Sequence, residues 1–79
     1  MAVYVLIRKT KDTSASAEYR FGPNEDSTGL LSIDKVTGRT TLLDGVPGDT
    51  RNMAYFRAAV KVIEHWERGE LPEELCWAS

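Results

Sequence analysis

The sequence predicts an α+β domain: an antiparallel sheet of three or four strands, a β-meander, packed against one C-terminal amphipathic helix, with a docked C-terminal tail. Three observations carry this expectation. Between Asn52 and Gly69, the residues Met53, Phe56, Ala59, Val60, Ile63 and Trp66 recur at helical spacing, with Arg57, Lys61, Glu64 and Arg68 on the opposite side. The first half alternates apolar and polar residues in short runs bounded by Gly, Pro, Asn and Asp. At 79 residues the chain is a single domain, 1–79, with room for one small core.

The first strand is expected from Ala2 to about Lys9, with Val3, Val5 and Ile7 on one face and Tyr4, Leu6 and Arg8 on the other. Both faces begin apolar, as in a strand covered on two sides. A second strand spans Ala17 to Phe21, where Tyr19 and Phe21 alternate with Glu18 and Arg20, and Gly22-Pro23 is expected to stop it. Asn24 to Gly29 reads as a polar loop. Leu30 to Asp34 and Arg39 to Leu43 form the third and fourth strands.

Between the last two, Asp34-Lys35-Val36-Thr37-Gly38 has hairpin chemistry. The Asp34 carboxylate can accept the backbone N–H groups ahead of it, and Gly38 can take a positive φ. Asp44-Gly45 and Pro47-Gly48 favour reversal, and Asp49 or Thr50 can cap the helix. Gly69 is placed to end it, and Leu71-Pro72 cannot continue it.

One helix covers one face of a sheet. The inner face is therefore assigned Val3, Val5, Ile7, Tyr19, Phe21, Leu31 and Ile33, roofed by Met53, Phe56, Val60 and Ile63. Tyr4, Leu6 and Leu30 are left on the outer face among Arg8, Glu18, Arg20 and Ser32, a semi-apolar surface that calls for a cover or a partner. Three covers are open: the tail folding back through Leu71, Leu75 and Trp77, a second copy of the chain, or a different protein. The candidate interaction surface read from sequence is thus Tyr4, Leu6, Arg8, Arg20, Leu30, Leu75 and Trp77.

Composition narrows the function classes. Residues 1–43 carry six Lys/Arg against five Asp/Glu, and residues 44–79 carry four against seven, so neither half has the basic excess of an electrostatic nucleic-acid binder. The lone Cys76 excludes an internal disulfide and a multi-cysteine zinc site. Asn24 to Gly29 starts like a calcium loop, but Lys35 stands where a bidentate Glu belongs. His65 has no sequence partner for acid–base work, and the glycines lack phosphate-cradle spacing.

No catalytic, cofactor or metal residue is therefore assigned, and no cofactor is expected. The apolar start is too short to span a bilayer and lacks secretory features, so a cytoplasmic protein without membrane association is expected. The leading expectation is a small non-catalytic interaction domain of bacterial or phage type, binding a protein partner or itself. The alternatives are nucleic-acid binding through the sheet, which needs Arg8, Lys9, Lys11, Arg20, Lys35 and Arg39 on one face, and small-molecule binding around His65 and Tyr55.

Overall fold

The computed structural model describes residues 4–78. Within them, five strands form one antiparallel sheet and a helix lies across one of its faces. The strands are β1 (Tyr4–Asp12), β2 (Ser16–Asn24), β3 (Ser27–Asp34), β4 (Thr40–Asp44) and β5 (Glu74–Ala78), and the helix α1 is Met53–Glu67. Their spatial order is β4-β3-β2-β1-β5. The first four strands run as the expected meander. The tail docks as a fifth strand on the free edge of β1, with Leu6 opposite Cys76 and Ile7 opposite Leu75. The tail therefore seals an edge and leaves the outer sheet face open. Val3, assigned above to the inner face, lies outside the described residues.

The β3–β4 hairpin forms as its residues dictate. The Asp34 side chain accepts the N–H groups of Val36 at 2.8 Å and Thr37 at 3.2 Å, and Gly38 takes φ 75°. At the β2–β3 turn, Asn24 Oδ1 accepts the N–H groups of Asp26 and Ser27, so the first oxygen of the supposed calcium loop is spent on closing a tight turn. Gly22-Pro23 does not stop β2. The strand runs on to Asn24 through a register shift between Phe21 and Asn24, because a bulge absorbs the residues that break regular pairing.

The helix is held at both ends from outside itself. Asn52 sits in the left-handed region with no side-chain capping bond, and Asp49 caps instead, accepting from Met53 N at 3.1 Å and Ala54 N at 2.8 Å. At the other end Gly69 N donates to Trp66 O and Glu70 N to His65 O, the paired bonds of a glycine-terminated helix, with Gly69 at φ 80°.

The face of the helix that meets the sheet differs from the expected one. Ala54, Ala58, Ala59 and Val62 are buried, whereas Met53, Phe56 and Val60 are 43%, 57% and 50% exposed. Ile63 and Trp66 are partly buried at the margin. The physical reason is volume. The sheet already fills the core with Ile7, Tyr19, Phe21, Leu31 and Ile33, all at most 2% exposed, so the helix approaches through small residues at i, i+4 and i+8. The larger apolar side chains are turned to solvent.

Two aromatic side chains pin the helix laterally. Trp66 Nε1 donates to Lys35 O at 2.8 Å, tying the helix end to the β3–β4 hairpin, and the Trp66 ring packs over Gly38. The Tyr55 hydroxyl shares a 2.9 Å hydrogen bond with Thr40 Oγ1, while its ring meets Phe21.

Candidate interaction surface

Strand parity sorts the sequence-assigned surface into two sets. Val5 and Ile7 are buried under the helix, so Tyr4, Leu6 and Arg8, which alternate with them, face away from it. Arg20 pairs with both Arg8 and Leu30, and these three occupy that same outer face. Leu75 and Trp77 do not join them. They pair with Ile7 and Val5, share the helix side and pack against the core, with the Arg57 guanidinium 4.9 Å from the Trp77 ring centroid. Their outward neighbours on β5 are Glu74 and Cys76, which period-2 alternation requires once the tail is read as a strand rather than a loose cover.

The outer face is partly apolar. Tyr4 is 52% and Leu6 37% exposed, and Leu43 on β4 is similarly open. A shallow groove of about 340 Å³ runs over Leu6 between Arg8, Arg20, Thr28 and Glu74, with Asn24 and Glu25 at the turn end. Arg8 and Arg20 stand directly opposite on neighbouring strands, a like-charge pairing that costs stability unless each finds a partner. Arg8 has one, Glu74 Oε1 at 2.9 Å. Arg20 donates only to Thr28 Oγ1 at 3.3 Å and, among the described residues, meets no carboxylate within ion-pair distance. The groove thus presents an apolar floor beside an unneutralised guanidinium. Outside the groove, the neighbouring Cys76 side chain holds the Tyr4 hydroxyl above its ordinary pKa.

A second cluster, missed in the sequence, lies on the helix side. The register of β1 and β2 shifts between Lys9 and Lys11, with Lys9 opposite Tyr19 and Asp12 opposite Ala17, both inward residues. Lys9 Nζ meets Asp12 at 2.9 Å with its side chain only 7% exposed, and Lys35 Nζ closes on the other oxygen of the same carboxylate. These two ammonium groups hold Asp12 below the usual carboxylate range. Trp66, Gly69, Glu70 and Leu71 complete a cleft of about 340 Å³ there. Nearby, burial pushes the Tyr19 hydroxyl pKa up, and that hydroxyl donates to Pro72 O at 2.7 Å, anchoring the segment that leads into β5. Charges opposed within bonding distance make this cluster a clamp between the β1–β2 bend, the hairpin and the helix end. A bulge is the feature that sequence alternation alone does not reveal.

The remaining sequence candidates do not converge. Of the six basic residues required for a nucleic-acid face, Lys9 and Lys35 are bound to Asp12 on the helix side, Arg8 is paired with Glu74, and Lys11 lies 4.0 Å from Glu18. Tyr55 and His65 are ten residues apart on one helix, about 15 Å at 1.5 Å per residue. His65 Nδ1 is buried without a hydrogen bond and 3.8 Å from Glu70, and Tyr55 is committed to Thr40. Among the described residues, no group of three or more His, Cys, Asp or Glu is placed to hold a metal ion, and no helix is long and apolar enough to cross a membrane. A comparison of the chain with family models, curated proteins and solved structures finds no match.

Proposed function

We propose that this chain is a small non-catalytic interaction domain of the cytoplasm that binds a protein segment on the outer face of its sheet. The observation that supports this reading is the groove over Leu6, where apolar surface adjoins an Arg20 guanidinium lacking a carboxylate. A protein segment offering an apolar side chain to Leu6 and a carboxylate to Arg20 satisfies both deficits together. Such a mixed contact is typical of interfaces with an apolar centre and a charged rim. The rim charge sets orientation and association rate more than affinity.

A random-peptide display selection on the full chain tests the proposal. Recovered peptides should pair an apolar residue with nearby Asp or Glu. Their affinity should fall at least about tenfold in Leu6→Glu and a few-fold in Arg20→Glu, the scale of a central and a rim contact respectively. Recovery of peptides indifferent to both substitutions, or of none, refutes the assignment.

A further inference from the structure

The two edges of the sheet are not equally closed. On β4 the register against β3 shifts between Leu30 and Leu31 and leaves Leu43 as an extra residue, a bulge of the kind that turns an edge away from further pairing. β5 has no such irregularity: Glu74–Ala78 pair with β1 in unbroken register. It also lacks Pro and Lys, and its one charged residue, Glu74, is held by Arg8 at 2.9 Å. We propose that β5 is where two copies of this chain meet, strand against strand and antiparallel, about a two-fold axis at Cys76.

Backbone parity selects this register. Lys9 N donates to Glu73 O at 2.7 Å, which marks these two residues as a hydrogen-bonded pair of the antiparallel ladder. Such pairs recur at every second residue, so Leu75 and Trp77 turn their amide and carbonyl groups towards β1. Glu74, Cys76 and Ala78 turn theirs to the open side. With Cys76 on the axis, Glu74 faces Ala78 of the second copy and Cys76 faces its own counterpart. Every open-side residue then meets another, closing on the order of six interchain hydrogen bonds at two per pair. A shift by two residues either way leaves one of them in each copy without a strand residue opposite, and a shift by one mismatches the parity.

The side chains fit the same register. Leu75 falls opposite Trp77 of the second copy, twice over, at the positions where opposed side chains come closest. Within one chain both are only partly buried, so the pairing covers apolar surface that the fold leaves open. Charge does not oppose the contact. The two Glu74 carboxylates lie four residues apart along the seam, about 14 Å at 3.4 Å per residue, beyond the screening length of about 10 Å at 0.1 M salt. Glu73 precedes the paired stretch, and Arg57 is engaged over the Trp77 ring. Five residues a side make an interface of the small class, below about 1,200 Å² in total, so the dimer is a weak one. The seam lies in the plane of the sheet and leaves the groove over Leu6 open, so this inference stands apart from the sheet-face reading and can fail separately.

Sedimentation equilibrium of the full chain under reducing conditions, from about 1 to 500 µM, tests it over a range that brackets a small transient interface. The wild type is expected to pass from monomer to dimer within that range. Cys76→Pro removes a donor that faces the open side and none that β1 uses, so it should leave a folded monomer and raise the dissociation constant at least tenfold. If Cys76→Pro unfolds, Cys76→Lys carries the same expectation, because it sets two ammonium groups opposite each other at the axis. Cys76→Val should keep the dimer, since the contact needs the strand and not the thiol. Arg20→Glu, on β2, should leave the equilibrium unchanged. Amide hydrogen exchange reads the register: Cys76 and Ala78 should gain protection between about 20 and 500 µM, while Leu75 and Trp77 are protected at both. A monomer at 500 µM overturns the proposal. So does a dimer that survives Cys76→Lys or is lost in Cys76→Val or Arg20→Glu, or a Cys76 amide whose exchange ignores concentration.

Discussion

Substituting Val62 and Phe56 separately tests which side of the helix holds the fold together. Val62 is fully buried, and Val62→Ala removes two carbon groups worth about 0.8 kcal/mol each in transfer energy. A residual void adds about 24 cal/mol per Å³, so with some 40 Å³ left unfilled the total approaches roughly 2.5 kcal/mol. For a domain of this size that lowers the melting temperature by roughly 10–20 °C.

Phe56 is 57% exposed and its ring touches that of Tyr55 at 5.4 Å between centroids. Phe56→Ala should therefore cost only about 0.5–1 kcal/mol, the scale of one aromatic contact, against about 3–5 kcal/mol for a Phe in a core. Urea unfolding followed by tryptophan fluorescence, at about 1 µM so that self-association does not contribute, measures both. Greater destabilisation by Phe56→Ala than by Val62→Ala would falsify the assigned helix orientation.

Two further substitutions probe the local devices. Asp49→Ala should destabilise by about 1–2 kcal/mol because Met53 and Ala54 lose their capping acceptor. Hydrogen bonds from the backbone, Ala54 foremost, depress the Asp49 pKa, so this contribution is complete above the unfolded carboxyl value of about 3.9 and disappears as pH falls through the lower folded value. Melting curves of both proteins should accordingly draw together as pH falls below the unfolded carboxyl value, and a gap undiminished under acid would reject the charged cap. Gly38→Ala puts a Cβ at positive φ against the Trp66 ring and should cost at least about 1 kcal/mol, with a fluorescence change as the indole shifts. A neutral Gly38→Ala melting curve would contradict the tight packing of hairpin on helix.

Much of the fold was legible because its signals are local. Asp34 and Gly38 specify the hairpin within five residues, Asp49 and Gly69 bracket the helix, and the alternation of Tyr19 and Phe21 identifies the buried side of β2. The helix phase was not legible because α1 has two apolar stripes, and size favours the wrong one. Phe56 and Val60 look like core, whereas Ala54 and Ala58 are buried because they are small enough for close approach. The tail was read as docked, but a run of only five strand residues, Glu74–Ala78, carries too little alternation to reveal which side chains point inward. Leu75 and Trp77 were consequently grouped with Tyr4 and Leu6. The Lys9–Asp12–Lys35 cluster depends on a bulge and a distant hairpin, neither of which is encoded by spacing.

Adjacency of β1 and β5 joins the earliest segment of the fold to the latest, with Tyr4 opposite Ala78. A ribosome releases the meander and the helix before it releases Glu74–Ala78. Throughout that interval the nascent domain exposes unpaired amides along Val5 and Ile7, a template on which another unfinished chain can add a strand. Protection of that edge therefore depends on Glu74–Ala78, the last element of the fold to be made.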